Sequence, residues 1–164
     1  MDISGFSDPW EHVRLLSDAD RNEALLALLH RYAPGNRVLE VGCGTGLLSC
    51  VAAKLGARQV FAVEPTPLAD LARELAHMNG LHQVTVLEDR IETLAPRPVD
   101  FAFSELLNTD PFFEGIVEAM SAARCWLGSD GVLAPSQLKV FIALTAGDGA
   151  AQDLSAALHQ VQAI

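Results

Sequence analysis

A chain of 164 residues, half of them hydrophobic and a fifth charged, can build one domain with a true core and is too apolar to be disordered. Its formal charge of −10 disfavours direct nucleic-acid binding, which needs a surplus of basic residues, and would attract a cationic partner. No apolar run reaches membrane-spanning length, and "MDISGFSDPWEHV" has neither a basic start nor an apolar signal core, so a cytoplasmic protein with no membrane partner is expected.

In chain order, Ala24, Leu25, Leu28 and Leu29 recur at helical spacing between Asp18 and Tyr32, with Asp18 or Asp20 as candidate caps and Pro34 and Gly35 as terminators. An apolar run over Val38 to Val41 predicts a strand, and Leu47 to Leu55 predicts a helix closed by Gly56. "RQVFAVE" predicts a second strand, Pro67 to Asn79 a helix stopped by Gly80, and "QVTVLE" a third strand. "VDFAFSE" is expected as a fourth strand, Glu114 to Leu127 as a helix, and "GVLAP" as the start of a fifth strand. "QLKVFIALT" is a further strand candidate, and Asp153 to Ile164 has helical character. Strands alternating with helices at this spacing call for an α/β fold with a doubly wound, mostly parallel sheet, since every parallel crossover supplies a helix. The three cysteines, Cys43, Cys50 and Cys125, fit no zinc or disulfide spacing; buried thiols in a reducing compartment are expected, and no metal site follows.

The loop after the first strand carries Gly42, Gly44 and Gly46. In an open α/β sheet that turn is the usual ligand contact, and glycine lets the chain turn sharply and bring bare backbone to a ligand. Nicotinamide and flavin folds also place glycines here, but their G-x-G-x-x-G spacing fails: the third glycine comes one place early and Leu47 stands where it is expected. Glu64 ends the second strand, where a carboxylate can accept from both hydroxyls of a ribose. Glu40 adds a carboxylate just before the loop, which would repel a pyrophosphate and tolerate a cationic amino-acid moiety.

"VLEVGCGTG" followed by "VFAVE" resembles the glycine motif and ribose-binding acid of class I S-adenosylmethionine-dependent methyltransferases. The resemblance implies S-adenosyl-L-methionine as cofactor, with Gly42, Gly44, Gly46 and Glu40 around its methionine and adenosine portions, Glu64 on the ribose and Glu92 on the adenine amino group. "SELLNTDPFFEG" is similar to the double-glutamate loop of the protein arginine methyltransferases, and "FEGIVEAM" to the branch in which two such modules are fused. "HVRLLSDADRN" resembles the cofactor-covering helix of that family, which implies His12 against the cofactor and Arg21 on its carboxylate. The implied catalytic pair is Glu105 and Glu114, with Asp110 between them unassigned.

A guanidinium is protonated and delocalised at neutral pH, so its nitrogens are poor nucleophiles. Two carboxylates can grip it, pull charge toward the gripped nitrogens and leave the remaining one better able to attack. The expected activity is therefore methyl transfer to an arginine of a protein or peptide. The alternatives are a small-molecule N- or O-methyltransferase and a cofactor-binding module that is silent without a partner. Residues 1–136 would form the cofactor-binding domain and 137–164 an extension that could open a β-barrel. The family's barrel, with its Thr-His-Trp loop, has no counterpart in this sequence, and a partner domain or oligomer would supply that wall of the substrate groove.

Overall fold

The computed structural model describes residues 17–107 and 115–139. Its elements are α1 (Ala19–Tyr32), β1 (Arg37–Val41), α2 (Leu47–Lys54), β2 (Gln59–Val63), α3 (Leu68–Met78), β3 (Val84–Leu87), a short 3-10 turn (Ile91–Thr93), β4 (Val99–Ser104), α4 (Ile116–Arg124) and β5 (Leu127–Ala134). The strands form one sheet in the order β3-β2-β1-β4-β5, and every neighbouring pair is parallel. The doubly wound parallel sheet expected from the alternation is thus present.

Strand periodicity sorts the side chains between two cores. Val38, Val60, Phe101 and Phe103 face α1 and α2, where they meet Leu29, Ala33, Ala52 and Ala53. Leu39, Val41, Phe61, Val63 and Ala102 face the opposite way, onto Ile116, Ala119, Met120 and Ala123 of α4 and onto Trp126. Phe101 stacks on Tyr32 and on Phe103, with ring centroids 5.3 and 5.4 Å apart. Each large side chain so buried contributes about 1.5–3 kcal/mol relative to exposure, so the sheet is held from both faces. Small residues let α3 lie close: Ala72 packs on Ala62 and Cys43.

Helix starts follow local chemistry. The Asp18 side chain accepts the Arg21 N–H at 3.1 Å and caps α1. At the amino-terminal edge of the sheet, Arg37 donates backbone and side-chain hydrogen bonds to Asp100, tying the start of β1 to the start of β4.

Two boundaries differ from expectation. The helix predicted over Glu114 to Leu127 is shorter, Ile116–Arg124, and β5 begins at Leu127 rather than at Gly131. The reason is an irregular edge strand: Val99 pairs with Leu127 but Phe101 pairs with Val132, so the four residues 128–131 stand against Asp100 alone, a bulge that sequence alternation could not show. Cys43 and Cys50 are buried as expected, whereas Cys125, at the end of α4, is exposed. Residues 137–139 are not in a strand, and the rest of "QLKVFIALT" and the segment from Asp153 lie outside the described residues.

Candidate active site

The strand order reverses between β1 and β4, and their carboxyl ends open the crevice where ligands of such sheets bind. Gly42, Gly44 and Gly46, all at positive φ, wrap the end of β1. The Gly42 and Cys43 N–H groups both donate to the Val63 carbonyl, at 2.8 and 3.0 Å, which pins the loop to the end of β2.

What crowds two of these glycines is protein. A Cβ on Gly42 would lie 2.5 Å from Leu106 Cδ2, and one on Gly46 would lie 2.7 Å from the Ala72 Cβ. Gly46 therefore gives α3 its close approach, one place earlier than the dinucleotide spacing puts that role, and Gly42 seats the loop that follows β4. The Gly44 N–H points to an acid, donating to Glu64 Oε2 at 2.8 Å.

Glu64 is buried at the end of β2 and is fixed from a second side, since Thr66 donates its N–H at 3.0 Å and its hydroxyl at 2.6 Å to Oε1. Glu40, two residues before Gly42, points from β1 toward α2, where the fully buried Ser49 hydroxyl donates to it. Burial pushes the Glu40 carboxyl up to about 8; the Ser49 hydrogen bonds oppose that rise, and the negative charges of Glu105 and Glu64 add to it. Counting Glu40 as a charge, natural from sequence, is thus corrected: without a cation beside it, it is mostly neutral at pH 7. Burial likewise raises the Cys43 thiol well above its ordinary value, so it is not a thiolate.

At the end of β4 the buried Ser104 hydroxyl donates to the Val41 carbonyl at 2.7 Å and accepts the Leu106 N–H at 3.3 Å, joining the two loops that flank the crevice. Glu105 comes next and holds a guanidinium: Arg21 of α1 donates Nε–H to Oε1 at 2.6 Å, and its Nη2 pairs with Oε2. Both side chains are about four-fifths covered. Arg21 also donates from Nη1 to Asn22 Oδ1 at 3.2 Å. Glu92, on the 3-10 turn after β3, is partly exposed and pairs with Arg90 at 3.1 Å.

The fold thus brings Gly42, Gly44, Gly46, Glu40, Glu64, Glu105 and Arg21 to one edge of the sheet, with Glu92 beyond the neighbouring strand. His12, Asp110 and Glu114 lie outside the described residues. Sequence reasoning missed Ser49, Thr66 and Ser104, whose hydroxyls orient these groups. The signal for Thr66 was local, two residues after an acid at a strand end; the other two carried none.

Residues 22–140 match the family model described as ribosomal protein L11 methyltransferase (PrmA). The chain is 36% identical over 149 residues to protein arginine N-methyltransferase 2 of Xenopus tropicalis, an overlap of 79% of this chain and 34% of that one. It is also 36% identical over 149 residues to the arginine N(omega)-methyltransferase of Streptomyces achromogenes subsp. streptozoticus, covering 85% of this chain and 41% of that protein. Among solved structures, protein arginine methyltransferase 10 of Arabidopsis thaliana superposes with a TM-score of 0.74 at 35% identity, over 81% of this chain and 40% of that chain. The chain thus spans about two fifths or less of the length of these relatives. It belongs to the class I S-adenosylmethionine-dependent methyltransferases, the family common to the matching model and these relatives, and stands among them with the protein arginine methyltransferases.

Proposed function

We propose that the chain is the cofactor-binding module of an arginine methyltransferase, transferring a methyl group from S-adenosyl-L-methionine to an arginine of a protein or peptide. The observation that supports this most is Glu105: at the carboxyl edge beside the glycine loop, both its oxygens receive a guanidinium.

The donor set suits the cofactor, which is that of the family. Glu64 uses about three of its roughly four acceptor positions on Gly44 and Thr66. A ribose would take the position left on Oε2 and replace the Thr66 hydroxyl on Oε1. Gly44 offers bare backbone to the nucleoside, Glu92 would turn from Arg90 to the adenine amino group, and His12 would lie against the cofactor. Arg21 would meet its carboxylate, and Glu40 would face the cationic amino-acid end.

When bound, the cofactor supplies an electrophilic methyl group on a sulfonium. Glu105 and Glu114 would hold the substrate guanidinium and draw its positive charge toward the gripped nitrogens, so that the remaining nitrogen attacks in line. The nitrogen left free by Glu105 and Glu114 would take the methyl group from the sulfonium, which would become a thioether, and that nitrogen's surplus proton would leave to solvent. Orientation of this kind is worth on the order of 7 kcal/mol or more in model systems. Residues 1–136 are read as this module and 137–164 as a carboxyl-terminal extension that could open a β-barrel, and the free buried thiols agree with a cytoplasmic setting.

The test is Glu105→Gln assayed with labelled cofactor on an arginine-rich peptide. The expected result is cofactor affinity within about twofold of the parent and transfer down by about 100-fold or more; undiminished transfer would remove Glu105 from the reaction. A second reading, methylation of free arginine or a similar small molecule, is favoured by the name of the Streptomyces relative. A product screen separates the two. A third reading, a module active only with a partner domain or in an oligomer, is favoured by the Trypanosoma brucei relative solved as an enzyme-prozyme heterotetramer.

A further inference from the structure

We propose that Ser104 is a positioning residue for methyl transfer: through its hydroxyl, the place of the Glu105 carboxylate is set by the glycine loop at the end of β1. This deepens, and rests on, the reading of Glu105 as a substrate grip.

A carboxylate that opens a loop has little to hold it, since the strand ladder ends one residue before. β1 and β4 run out together, with their last residues, Val41 and Ser104, opposite each other. From there the buried Ser104 hydroxyl reaches in two directions, donating to the Val41 carbonyl at 2.7 Å and accepting the Leu106 N–H at 3.3 Å. One oxygen thus fastens the residues on both sides of Glu105 to the end of β1. The turn is closed by the Leu107 N–H, which donates to the Glu105 carbonyl at 2.8 Å. Leu106 adds a steric peg: its Cδ2 and Cγ lie 2.5 and 2.9 Å from where a Cβ on Gly42 would stand, so it fills room that only glycine leaves. It also packs against the core between the sheet and α4. The Glu105 backbone is therefore fixed through its neighbours, while its side chain projects to Arg21.

The dependence runs mainly one way. The glycine loop has a second anchor, the Gly42 and Cys43 N–H groups on the Val63 carbonyl, in which Ser104 takes no part. Removing the hydroxyl would leave that loop pinned to β2 and free the turn that carries Glu105. A misplacement of about 1 Å in a positioned group can cost on the order of 100-fold in rate. A carboxylate freed to sample several rotamers also holds a planar cation in its productive pose for only part of the time. A hydroxyl that merely tied off the strand would change stability and leave transfer alone.

The test compares Ser104→Ala with Ser104→Thr in the full chain, using labelled cofactor and a Gly-Arg repeat peptide. Calorimetric titration of S-adenosylhomocysteine and urea unfolding accompany it. Ser104→Ala is expected to bind S-adenosylhomocysteine within about twofold of the parent and to lose at least about tenfold in kcat/KM for the peptide. Ser104→Thr keeps the hydroxyl on a residue suited to a strand, and is expected to stay within about threefold of the parent. Made in a Glu105→Gln background, Ser104→Ala should change the residual transfer by less than about twofold, because no carboxylate is left to misplace. Undiminished transfer in Ser104→Ala, or the same loss repeated in the Glu105→Gln background, would overturn the proposal. A Glu105→Gln change without effect would instead remove the reading of Glu105 as a grip. Whether or not the chain alone transfers a methyl group, the Arg21 Nε–H resonance reports where Glu105 stands. A shift in Ser104→Ala that is absent in Ser104→Thr supports the link; no shift, or one common to both variants, refutes it.

Discussion

Glu40→Gln should make the protein more stable in base and change little in acid. The residue is 3% exposed, and its carboxyl faces α2 from the middle of the sheet and is bonded by Ser49. Its value rises from an ordinary 4.5 to about 8, first through burial. The folded protein therefore keeps a proton that the unfolded chain loses, and the stability this contributes is complete below about pH 4.5 and lost as the pH rises to about 8. At 1.36 kcal/mol per pH unit the whole span amounts to roughly 5 kcal/mol, an upper bound for a group that can recruit water once ionised. Glutamine is nearly isosteric with the protonated acid and cannot ionise. Urea unfolding at pH 5, 7 and 9 isolates this group, because other titrations cancel in the difference between variant and parent. The difference should swing in favour of the variant by several kcal/mol from pH 5 to pH 9. A difference that does not change with pH would refute a neutral Glu40.

Two further substitutions probe the framework. Gly46→Ala places a methyl 2.7 Å from the Ala72 Cβ at a backbone φ of 76°, and should cost about 2–4 kcal/mol from overpacking and left-handed strain; adding Ala72→Gly should recover the overpacking part but not the strain, as read by urea midpoints. Asp100, held below the usual carboxylate range by the Arg37 guanidinium and then by the Arg37 N–H, contributes stability above the unfolded carboxyl value that is lost as the pH falls through its own lower one. Asp100→Asn should cost about 1 kcal/mol at pH 7, modest because the pair is a third exposed, and progressively less as the pH falls. Lying at the amino-terminal edge, it should leave cofactor affinity unchanged.

Much of the fold was legible because the strands are short apolar runs bounded by glycine and proline, and buried parallel strands have no other way to look. Gly35, Gly56 and Gly80, each at positive φ, closed the elements where expected. The start of β5 was not legible: Gly128, Ser129, Asp130 and Gly131 have little strand character and are tolerated only as a bulge at a sheet edge. The site divides in the same way. Glu64 could be placed from its position at a strand end, since the register of β1 and β2 brings it to the glycine loop. The neutral state of Glu40 depends on which helix covers that face of β1, and the pairing of Arg21 with Glu105 depends on where α1 crosses the sheet; neither is written in local spacing. The glycine spacing itself was informative for a partly different reason than expected, because Leu106 and Ala72 claim the room at Gly42 and Gly46.

The most direct measurement is a crystal structure of the chain with S-adenosylhomocysteine. Ribose hydroxyls on Glu64, the nucleoside over Gly44 and the amino-acid carboxylate on Arg21 make the predicted arrangement. A nucleoside bound away from the loop of residues 42–46, or Glu64 turned from the ribose, would contradict it.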